Sequence, residues 1–480
     1  MHYVGYSIAY PIMIMSSNVG SFGVFGLSLT LLIIALIGGG QYKLGGLFLG
    51  MVIAVHPFLG AFCILIVMIT FLWDYKNQQE NLNKFFIFFL AACLISAFSL
   101  GYQLYLWKDL PNVNSAETKN ILLNYVNYWD YHRQPIKLWS YGILTCIASL
   151  LMFIFALLYL KKELPTQSLF ILKLMIVSAI LSIALALTTL LPSKLVSDML
   201  LSSMPGRFQN LNNLAFVVLL IGILGNNNSK NFFFYRLILF VFVLCSLSLM
   251  IIAYNLDLPK NGKLFNQTKL LLPLCVALSL IVVKIFSEKL QGYFKLDHKH
   301  RLINSIYRAI LIIFVSMGVI ALSESGFSVL SKYNGWGTRK ETFRDWTNEP
   351  LYAEISKGKG YVLSSGIAHI QLYTRRPTLF GGGMVNILPY VPELGLEVNK
   401  VSKHIYGVNL LQQPPDELRN NVGKFPGLYY KDLWENRSKE QWREIKKQFG
   451  VFDILTLKDW KLNLPIIIQN EKYILYHIDD

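Results

Sequence analysis

Charged residues are scarce in this chain. Only 15% of its 480 residues are Asp, Glu, Lys or Arg, whereas 54% belong to the apolar set Ala, Val, Ile, Leu, Met, Phe, Trp, Tyr and Cys. Soluble domains usually have about 25% charged residues, and so few charges cannot cover the surface of a globular protein of this length. The composition therefore excludes an ordinary soluble protein and predicts contact with lipid.

Familiar catalytic and metal-binding motifs are also missing. None of the five cysteines stands in a CxxC pair, and the chain has no HExxH, GxSxG, GxGxxG or GxxxxGKS pattern. These gaps argue against a disulfide framework, a zinc site and a nucleotide-binding loop. The sequence predicts no metal-binding residues, and it leaves open whether a divalent cation takes part.

The excess of basic residues belongs to one part of the chain. Residues 1–322 contain 23 Lys and Arg against 10 Asp and Glu, and residues 323–480 contain 21 against 18. Long apolar runs separate the basic residues of the first part. Loops facing anionic lipid explain this pattern better than a nucleic-acid partner does.

Apolar segments long enough to cross a bilayer recur through residues 1–322. They lie at 22–38, 85–107, 138–160, 168–191, 209–225, 232–253, 270–286 and 305–322. A further apolar run, 44–73, contains His56-Pro57 at its centre. Because proline disfavours helix at the preceding residue, we expect two short helices, 44–55 and 58–73, that meet at His56. The alternative is one long tilted helix.

Counted with this hairpin, the chain makes about ten crossings. Successive loops between these segments would lie on alternate sides of the membrane. The loops on one side contain 11 Lys and Arg, and the loops on the other side, which have more residues in total, contain 9. The positive-inside rule makes the denser set cytoplasmic. The N-terminus, residues 108–137 and 192–208, and everything after residue 322 are then outside.

From residue 323 the composition becomes polar, which predicts a second domain, 323–480, outside the membrane. Short apolar runs at 361–365 and 376–380 alternate with helical patterns at 392–406 and 438–449, and two strand-like runs, 451–457 and 472–478, follow the last helix. The last helix begins with a Ser438–Gln441 capping-box pattern. The predicted fold is thus a polytopic α-helical membrane domain, 1–322, followed by a C-terminal extracytoplasmic α/β domain.

Several polar residues fall on the predicted outer face. His56 is at the hairpin tip, Asp130, His132 and Arg133 precede one membrane helix, and Arg207 precedes another. Ionisable groups at membrane depth are costly and usually functional, and arginine suits phosphate because its planar fork donates two hydrogen bonds. Other readings stay open: a structural turn at His56, lipid phosphate at both arginines, and an Asp130–Arg133 salt bridge.

Aromatic residues accompany this polar group in the loop 108–137. Tyr128 and Trp129 could stack on the face of a sugar ring, or they could belong to an interfacial aromatic belt. The sequence alone does not separate these two interpretations.

Three stretches together resemble the GT-C superfamily of membrane glycosyltransferases. They are the hairpin GLFLGMVIAVHPFLGAF (46–62), the loop ending in WDYHRQP (129–135), and the tail 440–480, with a helix, a strand and a final hairpin-like pair. The resemblance implies an integral protein of the bacterial inner membrane. It also implies transfer of a sugar from a polyprenyl-phosphate donor to a glycan or lipid acceptor in envelope polysaccharide or glycoconjugate assembly.

The resemblance implies a role for each candidate residue. Asp130 and His132 would be catalytic, His56, Arg133 and Arg207 would bind the donor phosphate, and Tyr128 and Trp129 would contact the sugar. The chain departs from the family before residue 22, since residues 1–21 contain no Asp or Glu. We therefore hold three expectations open: the protein begins upstream, Asp130 replaces the missing carboxylate, or the chain is a non-catalytic component of polysaccharide assembly or export. A transporter is a further alternative.

Overall fold

The computed structural model describes residues 22–130, 133, 141–161, 164–212, 349–365, 367, 370–380, 385–419 and 430–479. This part of the chain is mostly helical with one small sheet. It forms two compact units. The helical unit comprises described residues up to 108, 141–191 and 204–212, and the α/β unit comprises 109–133, 192–203 and 349–479.

The helical unit contains six long helices. They are α1 (Phe22–Gly38), α2 (Tyr42–Val55), α3 (Pro57–Trp73), α4 (Tyr75–Leu106), α6 (Tyr141–Leu160) and α7 (Thr166–Leu187). The predicted break at His56 is confirmed, and the single long helix is excluded. Among described residues, two helices are long and apolar enough to cross a membrane, Tyr75–Asp109 and Thr166–Leu190. The predicted spans 232–253, 270–286 and 305–322, and most of 209–225, lie outside the described residues.

Two glycines let α2 approach α4 closely. A Cβ added at Gly46 would overlap the carbonyl of Phe85, and one added at Gly50 would lie 2.5 Å from the carbonyl oxygen of Phe89. The Ser96 hydroxyl donates to the Gly50 carbonyl at 2.6 Å. This is the small-xxx-small spacing that brings helix backbones together in lipid.

A polar network joins α2, α4 and α7 at one end of the helical unit. Asp74 forms an ion pair with Lys173 at 2.5 Å and accepts hydrogen bonds from Asn77 and Gln78. Gln78 accepts in turn from the Tyr42 hydroxyl. Burial opposes ionisation of Asp74, but the ammonium and the two amides outweigh it, so the pKa of this carboxyl lies below its ordinary value. The cluster satisfies a charge that would otherwise be isolated among helices.

The α/β unit contains a four-stranded sheet and short helices. The strands are β1 (Tyr361–Ser364), β2 (Val451–Leu457), β3 (Ile466–Gln469) and β4 (Tyr473–His477), in the order β1-β2-β4-β3. The β1–β2 pair is parallel and the other pairs are antiparallel. The helices are α5 (Ser115–Asn124), α8 (Asp198–Ser202), α9 (Pro350–Lys357), α10 (Ile370–Thr374), α11 (Gly395–Tyr406), α12 (Asp416–Arg419), α13 (Lys431–Glu435) and α14 (Lys439–Phe449).

Local sequence signals account for much of this unit. Ser438 and Gln441 form the predicted capping box at the start of α14, and Gly450 ends the helix with a positive φ of 67°. An aromatic cluster fills the core beside it, with Trp434 packed against Tyr430, Trp442 and Trp460. The predicted strands at 451–457 and 472–478 are confirmed to within about a residue at their ends, the apolar run 361–365 contains β1, and the run 376–380 forms only an isolated bridge at Thr378.

We predict that Gly50→Ala destabilises the protein by about 1–3 kcal/mol, because the added methyl group meets backbone that cannot move aside. The matched control is Gly101→Ala on α4, where a Cβ meets nothing within 4 Å and helix propensity improves. Thermal unfolding in detergent should show a lower midpoint for the first variant alone. Equal midpoints for the two variants would contradict the close packing of α2 and α4.

Candidate functional site

His56 occupies the junction between α2 and α3. Its backbone is extended (φ −145°, ψ 91°), its amide donates to the carbonyl of Val52, and its ring Nδ1 accepts from the amide of Leu59 at 3.4 Å. The residue thus ends one helix and caps the next, with Pro57 at the first position, where the missing N–H costs nothing. Since Nδ1 accepts, a neutral ring has its proton on Nε2.

A glycine on α1 makes room for this ring. A Cβ added at Gly26 would lie 2.8 Å from the imidazole Cδ2 of His56. The imidazole is therefore held against a neighbouring helix as well as against its own. The amino end of α3, which has the partial positive charge of a helix dipole, begins directly beside it. Pro57 has no N–H and the amide of Leu59 is bound to the His56 ring, so the helix dipole is what this end would offer to an anion.

The segment containing Arg207 lies in the same unit as α3. Residues Pro205–Phe208 form a 3-10 turn, and the ring of Phe208 stacks on Phe62 at 4.5 Å between centroids with an interplanar angle of 8°. This contact places the backbone of the Arg207 segment against α3, two turns beyond His56. The side chain of Arg207 lies outside the described residues.

Asp130 and Arg133 meet in the α/β unit. They form a buried ion pair, with 4% and 2% of their side chains exposed. The guanidinium also donates to the carbonyl of Ser202, from Nη2 at 3.0 Å and Nε at 3.3 Å. It lies 5.1 Å from the centroid of the Tyr390 ring. The salt bridge, one of the two interpretations that the sequence left open for Asp130, is the one found.

This arrangement links three distant parts of the chain. The Ser202 hydroxyl donates to the carbonyl of Pro389 at 2.5 Å, so Arg133 reaches both 192–203 and the C-terminal segment through one residue. Asp130 follows a single π-helical turn, Tyr125–Trp129, which is uncommon and often found at functional sites. His132 lies outside the described residues.

The two predicted sugar-binding aromatics occupy different environments. Trp129 is buried in the core of the α/β unit, and its indole N–H donates to the carbonyl of Gln412 at 2.9 Å. The indole ring of Trp129 therefore packs against other residues of the protein. Tyr128 is 37% exposed and keeps a ring at the surface. Contact of either residue with a sugar stays a prediction.

Sequence reasoning missed a second buried ion pair. Arg376, in TRRPTLFGGGM, binds Asp453 of β2 and donates from Nε to the carbonyl of Gly360. The ring Nδ1 of His477 lies 2.6 Å from the other oxygen of Asp453. The position of Asp453 inside the apolar run VFDILTL was a usable signal, since most residues of this strand are buried. Within the described part of the chain, no cluster of His, Cys, Asp or Glu has the make-up of a metal site.

We predict that Arg133→Met destabilises the α/β unit by about 3–5 kcal/mol, because it leaves Asp130 buried without its cation. Urea-dependent proteolysis of the purified full chain measures this loss. The double variant Asp130→Asn/Arg133→Met should lose less than the two single variants summed, because neither charge is stranded. The control is Asp198→Asn in the exposed Lys119–Asp198 pair, which should cost less than about 1 kcal/mol.

Comparisons with known proteins do not assign this chain to a family. No protein-family model, curated protein or solved structure matches it.

Proposed function

We propose that the chain is a polytopic membrane protein with the α/β unit outside the cytoplasm. The main support is the surface of α4. Ile87, Leu90, Leu94 and Phe98 recur at helical spacing and are 60–79% exposed, whereas Phe85 and Phe89 of the same helix are buried against α2. A stripe of this kind facing water would be strongly unfavourable, and lipid removes that cost.

The end of this stripe has the composition of a membrane interface. Tyr102, Tyr105 and Trp107 are exposed there, and the ammonium of Lys108 lies 4.3 Å from the centroid of the Tyr105 ring. Amphipathic aromatic rings and lysines concentrate at the level of lipid head groups. The apolar stretch 85–106 would extend about 33 Å at 1.5 Å per residue, which matches the hydrocarbon thickness of about 30 Å.

The connections of the chain support a topology in which all segments of the α/β unit lie on the same side of the membrane. The two candidate spans, Tyr75–Asp109 and Thr166–Leu190, both lead at their C-terminal ends into segments of that unit, 109–133 and 192–203. Their C-terminal ends therefore belong on the same face as the C-terminal segment. The density of Lys and Arg in the opposite loops supports the assignment of that face to the outside.

We predict that single cysteines in a cysteine-free background report this topology. Asn114→Cys and Glu471→Cys should react with a membrane-impermeant maleimide in intact cells or spheroplasts, because both lie in the α/β unit. Gln79→Cys, an exposed residue near the start of α4, should react only after permeabilisation. Labelling of Asn114→Cys and Glu471→Cys from opposite sides would disprove the shared face.

For activity, we propose transfer of a sugar from a polyprenyl-phosphate-linked donor, in the manner that the GT-C resemblance implies. The carrying observation is the position of His56. Helix α2 has 14 residues and would extend only about 21 Å, which supports a position of the junction within the outer part of the apolar layer if α2 begins at the inner interface. A histidine and a helix amino end at that depth suit a phosphate whose lipid chain stays in the bilayer.

The chemistry requires a place for developing negative charge. The acceptor hydroxyl attacks C1 of the sugar, the bond from C1 to the phosphate oxygen breaks, and polyprenyl phosphate leaves with the bonding electrons and takes up the proton that the hydroxyl loses. His56 and the amino end of α3 would stabilise that charge. Arg207, on the segment against α3, is a further candidate for it. Asp130 is bound to Arg133, and this geometry favours a role in holding the loop over a role as base.

We predict that His56→Ala lowers release of polyprenyl phosphate by roughly a hundredfold to a thousandfold, the range for losing one stabilising donor at a developing anion. The assay supplies a lipid-linked sugar and an acceptor to the full-length protein in nanodiscs. His404→Ala is the matched control, because His404 is on α11 in the other unit. Equal release by His56→Ala and the parent protein would remove His56 from the site.

A second candidate is a non-catalytic component of polysaccharide assembly, with the α/β unit as a binding module. The observation that favours it is the ion pair of Asp130 with Arg133, which occupies the carboxylate proposed as catalytic. Glycan binding by the parent protein without any turnover would select this candidate over the transferase.

A further inference from the structure

An uncharged polar cluster lies inside the helical unit. The side-chain amide of Asn212 donates to the hydroxyl of Ser182 at 2.9 Å. The thiol sulfur of Cys146 lies 3.7 Å from both groups. Ser182 is on α7, Cys146 is on α6, and Asn212 is in a helical segment that begins at Gln209. Three segments therefore contribute hydrogen-bonding groups to one place in an otherwise apolar interior.

Several atoms around this place have no partner within the described part of the chain. They are Oγ of Ser178, Nε2 of Gln209 and Oδ1 of Asn212. All three residues are at most 2% exposed. Ser178 is one turn before Ser182, and Gln209 is one turn before Asn212, so each pair shares a helix face. Buried polar atoms are almost always paired, and a group of open ones needs an explanation.

The free atoms indicate the chemistry of an occupant. The Ser182 hydroxyl donates to the carbonyl of Ala179, so it can only accept from Asn212, and this orients the amide with Oδ1 open. Asn212 then offers an acceptor, Gln209 offers a donor, and Ser178 can do either. An anion would require donors throughout, and a cation would require oxygen acceptors throughout. Hydroxyl groups, which donate and accept, satisfy the whole set.

We propose that Cys146, Ser178, Ser182, Gln209 and Asn212 form a binding site for a neutral, hydroxyl-bearing ligand, namely a sugar ring. Ser182 is five residues before the end of α7, which corresponds to a depth of about 8 Å. The choice of a sugar rests on the proposed function. The site itself rests on the open hydrogen-bonding atoms, and its test measures occupancy and not turnover.

Cys146 provides a reporter within the cluster. In a full-length variant with Cys63, Cys93, Cys245 and Cys275 replaced by Ala, a small neutral methanethiosulfonate should modify Cys146. N-acetylglucosamine should slow that reaction several-fold, whereas inorganic phosphate and sodium chloride should not. The control keeps Cys63 alone. Cys63 is as deeply buried as Cys146 but lies outside the polar cluster, so it should react slowly with or without sugar.

Two variants separate the site from general packing. Asn212→Leu should abolish the protection by sugar. Thr70→Val should retain it, because the Thr70 hydroxyl is already bound to the carbonyl of Ile66 within its own helix. Cys146 as unreactive as Cys63 would show that no ligand reaches the cluster. Modification unaffected by sugar would show a water-filled pocket, and either result overturns the proposal. Protection without any sugar transfer would overturn the proposed function alone.

Discussion

The guanidinium of Arg133 is the constraint on which the α/β unit depends. A buried cation must have a carboxylate and enough acceptors, since an unpaired charge in a protein interior is prohibitively costly. Asp130 supplies the charge, Ser202 supplies a carbonyl for two hydrogen bonds, and the Tyr390 ring covers the guanidinium. These partners come from three segments that are far apart in the chain. Two loops and the C-terminal segment thereby become one folded unit.

The helical unit is organised by contact geometry more than by charge. Gly46 and Gly50 allow the backbones of α2 and α4 to approach each other closely. Because the helices are so close, the hydroxyl of Ser96 can donate to the carbonyl of Gly50. In lipid, where apolar surface gains little from leaving its surroundings, this close packing is what holds helices together. The short helix α2 is thus fixed along its length, and its end at His56 has a defined position.

Elements with local causes were predictable from the sequence. Pro57 forces His56 out of helical geometry, so the break between α2 and α3 follows from two neighbouring residues. Ser438 and Gln441 satisfy each other's backbone groups in the same way, whatever the rest of the chain does. The burial of Trp129 was not predictable, because an aromatic residue in a loop has the same pattern whether it faces lipid, a sugar or a core. Its partner, the carbonyl of Gln412, is distant in the chain.

The sequence by itself determined the apolar character of residues 1–322, the broken hairpin and the strands and capped helix of the C-terminal part. Each of these depends on composition or on residues within one turn of each other. The tertiary structure alone decided that 109–133 and 192–203 belong with the C-terminal segment, and that Asp130 binds Arg133. It also decided that Asn212 meets Ser182 inside the helical unit. These are pairings between distant residues, which depend on how the chain packs and which no local pattern encodes.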